Sequence, residues 1–158
     1  YNISSYEAIA EVTIESNKNI NKYLIKQTHN QYETIQELME PENIKGMKII
    51  YKNNSLSIEN TTLNLKSIYE DYPYIEENSL ILTDFISSYK NAKEENKTQI
   101  ERKDSYIIYT VECGKKYINK KILYVSENSG KPEKMIVQDN NKKNIIYILY
   151  NEIELNNF

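Results

Sequence analysis

By residue type, His29 and Cys113 are the side chains best suited to bond-making chemistry, and each is the only one of its kind in the 158 residues. A histidine acts as a general base when a partner holds it in place, and for this lone histidine at the end of an expected strand a structural or surface role is expected. Cys113 sits at an expected strand end before Gly114 and reads as a buried, inert thiol rather than a nucleophile. A zinc centre needs several converging His, Cys or Asp ligands, which one histidine and one distant cysteine do not supply. With only 3 glycines, no phosphate-cradling loop is present. The carboxylate pairs Glu40 with Glu42, Glu70 with Asp71 and Glu76 with Glu77 have the composition of acid–base dyads. All three fall in expected turns or solvated faces. The expectation is no catalytic, cofactor-binding or metal-binding residue, and no enzyme.

Composition narrows the class further. Hydrophobic residues make up 39% and charged residues 27%, the balance of a globular protein, and the length suits one domain across residues 1–158. The net charge of −3, with lysines interleaved among glutamates, gives no electrostatic reason for nucleic acid binding. No apolar run approaches the length of a membrane-spanning helix. The lone cysteine excludes an internal disulfide. The sequence opens at Tyr1 without a methionine, and any signal peptide or lipid-anchor cysteine is expected upstream of it. Sequons begin at Asn2, Asn53, Asn60 and Asn96, as chance supplies in an Asn-rich chain. The 15 tyrosines, against 2 phenylalanines and no tryptophan, are a marked excess. Tyrosine joins apolar area to a polar tip, so an exposed cluster of them suits protein recognition.

The elements that position these residues are mostly strands. From Tyr6 to Glu15 apolar and polar residues alternate, with Tyr6, Ala8, Ala10, Val12 and Ile14 on one face. Further strands are expected over 21–28, with Tyr23, Ile25 and Gln27 together, and over 32–39, 47–52, 56–58 and 63–65. Asn53-Asn54 forms a tight turn, since asparagine tolerates positive φ. From Asn78 the period changes: Leu82, Phe85, Ile86 and Tyr89 recur three or four apart, giving a helix of about four turns capped by Asn78 or Ser79. A shorter helix over Lys66 to Tyr72, stopped by Pro73, is also expected. Strands resume over 98–102, 106–113, 118–125, 134–138 and 144–153, the last apolar on both faces and so expected to be central and covered on both sides. Between the last three, Asn128 to Pro132 and Asp139-Asn140-Asn141 supply turns. About ten antiparallel strands with one or two helices describe a mainly β, α+β protein: an open antiparallel β half-barrel, or curled sheet, with the helices in its concave face.

The order of three segments resembles the LolA/LolB-like lipoprotein-carrier fold: Leu38 to Ile58 with its Pro41 turn and Gly46, Tyr69 to Leu80, and Tyr124 to Glu154 with its Gly130-Lys131-Pro132 turn. Within that fold the chain looks most like the GerS-like spore-germination lipoproteins of clostridia. The resemblance implies an extracytoplasmic, membrane-anchored lipoprotein, placed in the intermembrane space of the developing spore and tethered by an upstream lipidated cysteine. It implies a non-enzymatic role too, binding a CwlD-like N-acetylmuramoyl-L-alanine amidase and enabling its action on spore-cortex peptidoglycan. The N-terminal helix of lipoprotein carriers has no counterpart after Tyr1, which leaves part of the concave face for a partner or second copy. Three readings follow: amidase activator, carrier of lipid or lipoprotein acyl chains, and enzyme, in falling order. The large residues Phe85, Tyr89, Tyr147 and Ile148 favour a filled interior over carriage. The recognition surface is expected at a tyrosine-bearing patch or an open strand edge, and that edge also allows a strand-exchanged homodimer.

Overall fold

A computed structural model describes residues 2–60, 62–69, 80–114 and 117–157. Eleven strands run in chain order: β1 (Ile3–Glu15), β2 (Ile20–His29), β3 (Glu33–Glu40), β4 (Met47–Lys52), β5 (Ser55–Asn60), β6 (Leu65–Tyr69), β7 (Thr98–Lys103), β8 (Tyr106–Glu112), β9 (Lys120–Ser126), β10 (Pro132–Gln138) and β11 (Asn144–Asn157). One α-helix, α1 (Leu82–Glu94), lies between β6 and β7, and a short 3-10 turn covers Glu42–Ile44. The strands form one open antiparallel sheet in the order β6-β5-β4-β3-β2-β1-β11-β10-β9-β8-β7. By packing, the chain divides into two units: Tyr1–Glu11 with Lys22–Asn78 and Asn151–Phe158, and Val12–Asn21 with Ser79–Tyr150.

In the first unit, alternation dictates the faces. Tyr6, Ala8 and Ala10 are buried along β1, and Ile25 and Gln27 along β2. The hairpin from β4 to β5 turns through Asn53 and Asn54 at φ 49° and 59°, the backbone expected of a two-residue hairpin loop. Gln27 stands opposite Gln36 and His29 opposite Thr34 in the β2/β3 register, so a layer of polar side chains occupies the buried face. Residues 66–69 are strand rather than helix, because β6 pairs with β5 from Leu65 opposite Asn60 to Tyr69 opposite Leu56. Cross-strand pairing here overrides a locally helical pattern; the rest of that expected helix, 70–72, lies outside the described residues. Leu63 sits in the turn before β6, exposed, and not in a strand.

In the second unit, α1 packs on β8 and β7. Leu82 and Phe85 are buried, and Ile86 and Tyr89 half-buried, so the expected stripe faces the sheet. Tyr89 stacks near Phe85 (6.1 Å between centroids) and meets Tyr109 of β8 edge-on at 5.7 Å. The helix starts later than its polar residues suggested: Ile81 occupies the cap position, with no side-chain cap bond. Asn78 and Ser79 lie outside the described residues. Burial of Ile81 and Leu82 sets where the first turn docks, in place of a side-chain cap. Beneath the helix side of the sheet lie Val111, Leu123, Val125, Met135, Val137 and Ile148, all buried.

Candidate functional site

The most organised surface of the second unit starts from a proline. Pro132 has no N–H to give to the ladder, and the β10/β9 register shifts between Pro132 and Lys134, leaving Glu133 as an extra residue. Such a bulge re-aims side chains, and here both Glu133 and Lys134 reach Tyr106. The Tyr106 hydroxyl donates to Glu133 Oε2 at 2.6 Å. That bond, reinforced by the carboxylate's charge, holds the phenol above its ordinary titration range. Lys134 Nζ lies 4.1 Å from the centre of the Tyr124 ring and 5.8 Å from that of Tyr106. The two rings meet edge-on at 5.9 Å. Cation–π contact and the aromatic pair hold this group in one arrangement.

Strand register extends the group into a surface. One row runs Ile108, Tyr124, Lys134, Leu149 across β8, β9, β10 and β11, and the next runs Thr110, Ile122, Ile136, Tyr147. Tyr147 and Leu149 are 37% and 36% exposed, whereas Ile148 and Tyr150 between and beside them are buried. β11 is central in the strand order but covered on one face only, which corrects the expectation of burial on both. Helix α1 packs on β8 and β7 from one side of this unit's strands, and the other side presents a tyrosine-bearing apolar patch to solvent. Aromatic and cationic side chains of this kind suit recognition of another macromolecule, and none is placed to make or break a covalent bond.

The residues singled out by type are dispersed. In the first unit His29 Nδ1 lies 2.7 Å from Thr34 Oγ1, and its ring stacks on Tyr6 at 5.3 Å. Tyr6 in turn donates to Gln27 Oε1 at 3.3 Å. Burial lowers the His29 pKa, since the charged ring would lose its hydration there. Gln36 is 1% exposed and its Nε2 has no hydrogen-bond partner in the structure. Cys113 is half-buried in the second unit, with Sγ 4.0 Å from the Val111 carbonyl. Glu40 and Glu42 are exposed, and Glu42 faces Lys45 at 3.8 Å. The pairs Glu70/Asp71 and Glu76/Glu77 lie outside the described residues. Among the described residues no three His, Cys, Asp or Glu side chains gather as metal ligands. No helix of the described residues is long and apolar enough to cross a membrane. A cavity of about 510 Å³ beside the Glu42–Ile44 turn has a mixed lining, with Leu38, Met39 and Leu63 beside Glu37, Lys45 and Asn60. The Tyr106, Glu133, Lys134 and Tyr124 group was not singled out from sequence; its legible trace is Pro132 at the start of a strand.

No protein-family model matches the chain, and no curated protein matches it in sequence. Solved structures do. The structure of the CwlD amidase from Clostridioides difficile in complex with the GerS lipoprotein matches with a TM-score of 0.64 at 23% identity, over 96% of this chain and 86% of the matched one. An uncharacterized conserved protein from Thermus thermophilus matches with a TM-score of 0.59 at 10% identity, over 98% and 80%. A LolA superfamily protein from Nitrosomonas europaea matches with a TM-score of 0.50 at 11% identity, over 100% and 89%. With its open antiparallel sheet and single described α-helix, the chain therefore has the LolA-like fold, in the form that GerS also adopts.

Proposed function

We propose that this chain is a GerS-like, non-catalytic protein that binds and activates a CwlD-like cell-wall amidase acting on spore-cortex peptidoglycan in germination. The observation that carries this reading is the match to the CwlD–GerS complex along 96% of the chain. On this reading residues 1–158 act as one extracytoplasmic domain, tethered at the membrane of the developing spore by a lipidated cysteine upstream. Activation without chemistry of its own requires differential binding: the domain holds the amidase's active conformation more tightly than the inactive one. The tyrosine-bearing face of β8 to β11 is the surface suited to that task, because aromatic anchors dominate binding energy. A strand-exchanged homodimer fits the same role, with that face left for the amidase.

The LolA-like fold also raises the carrier reading, since an acyl chain needs an apolar cavity. Against it, Leu82 and Phe85 fill the helix side of the second unit, and Gln27, Thr34 and Gln36 line the buried face of the first. The test is co-expression of the full chain with a clostridial CwlD-type amidase. A stable complex and faster release of stem peptides from cortex peptidoglycan are expected, with no release by the domain alone. A domain that leaves the amidase unaltered and co-purifies with acyl chains overturns the proposal in favour of carriage. Light scattering across a concentration series measures the homodimer separately.

A further inference from the structure

The solvent side of the first unit carries a charge pattern that the amidase reading does not use. The registers place Lys26 opposite Glu37, Glu37 opposite Lys48, Lys48 opposite Glu59, and Glu59 opposite Lys66. One row therefore alternates in sign across β2, β3, β4, β5 and β6. Opposite charges directly across a ladder attract, and each inner member has an opposite charge on both sides. Lys66 ends the row. Its Nζ reaches Glu59 Oε1 at 3.0 Å, and its other flank lies along the outer side of β6, which no strand pairs among the described residues. The neighbouring row, Ile35, Ile50, Ser57 and Ile68, ends in an isoleucine that is 58% exposed. Leu65, on the other face of the same strand, is 61% exposed.

The two ends of the sheet differ in their protection. β7 carries Glu101, Arg102 and Lys103 in succession, all exposed, which is the charged edge that resists pairing. β6 carries one charge and exposed aliphatic residues on both faces, with no proline and no bulge in its pairing. An edge of that composition accepts a further strand.

We infer that β6 is a docking edge for an extended segment of a partner protein that sets a carboxylate opposite Lys66 and apolar side chains opposite Ile68 and Leu65. The carboxylate continues the alternation by one step, and the apolar pair covers the exposed aliphatics. Within Leu65–Tyr69 Lys66 is the single charged residue, so the recognised carboxylate must come from outside the strand.

The test uses the full chain and two fluorescein-labelled peptides, Thr-Thr-Val-Thr-Glu-Val-Thr-Thr and the same sequence with lysine in place of glutamate. Anisotropy should show the glutamate peptide binding about five- to tenfold more tightly at low salt. Lys66→Glu should reverse the preference, and Ile68→Lys should weaken both peptides while thermal unfolding stays unchanged. Hydrogen exchange should show new protection at β6 amides. Equal affinity for the two peptides, absence of binding, or protection at β7 instead of β6 overturns the inference. Self-association abolished by Ile68→Lys also overturns it, because a second copy would then be the occupant.

Discussion

Lys121 of β9 is 1% exposed and its ammonium meets the Asp84 carboxylate in the first turn of α1. A charge so deeply buried is tolerated because it is paired. The pair ties the start of the helix to β9, and its position beside Leu82 and Phe85 fixes which way the apolar stripe faces. Removing one partner should cost far more than removing both: Asp84→Asn is expected to destabilise by about 3–5 kcal/mol, whereas Lys121→Met with Asp84→Leu should come within about 1 kcal/mol of wild type or exceed it. Urea denaturation of the two variants checks the order, and equal losses for single and double variants would show that the pair does not act as a unit.

Phe85 is 3% exposed and lies between Leu82 and Tyr89 on the same stripe. Truncation removes its buried area and leaves a cavity that the sheet beneath cannot collapse into. Phe85→Ala should destabilise the fold by about 3–5 kcal/mol. An unchanged melting curve would remove the helix from the core.

His29 supplies a pH dependence whose direction follows from burial. Its folded-state pKa lies below the ordinary 6.5, so the unfolded chain binds a proton that the native state resists. Stability is complete above the unfolded value and falls as pH drops through about 6.5 toward the lower native pKa. His29→Asn, which keeps a polar group near Thr34 Oγ1, should flatten this fall between pH 7.5 and 5. Denaturant midpoints at several pH values measure it. The same variant and Cys113→Ser should leave amidase stimulation intact, since neither side chain is expected to take part in chemistry.

The tyrosine-bearing face predicts separable effects on binding and stability. Lys134→Glu and Tyr147→Ser should each weaken the amidase complex by about tenfold or more. Tyr147→Ser should shift unfolding by no more than about 0.5 kcal/mol, as expected for an exposed site. Lys66→Glu, on the first unit, serves as a control that leaves amidase affinity unchanged. Calorimetric titration of each variant against the amidase distinguishes these outcomes.

Glu133 and Tyr106 offer a spectroscopic check on the bulge. Because the hydrogen bond to Glu133 raises the Tyr106 phenol, Glu133→Gln should bring one tyrosine down toward its ordinary range. Carbon-13 labelled tyrosine followed by NMR through the alkaline range resolves that one ring. No shift in any tyrosine would place the Glu133 side chain elsewhere.

Much of this protein was determined by its sequence alone, through interactions that are local. Alternation along Tyr6, Ala8, Ala10 and Val12 sets which face of β1 is buried, because successive side chains of a strand point to opposite sides. Asn53-Asn54 sets a hairpin because those residues accept positive φ. The spacing of Leu82, Phe85 and Tyr89 sets a helix with one apolar stripe. The scarcity of histidine and cysteine made a binding role the natural expectation. What tertiary structure decided is everything that depends on partners distant in the chain. Residues 66–69 read equally well as a helix until pairing with β5 made them a strand. Lys121 and Asp84 are 37 positions apart, and nothing local shows that a lysine will be buried. Whether β11 is covered on one face or two depends on where the helix lies, and its run of apolar residues carries no record of that. Lys26, Glu37, Lys48 and Glu59 recur at a constant interval in the sequence, yet only strand register shows that they face one another. A one-residue slip would send each charge to the opposite side of the sheet.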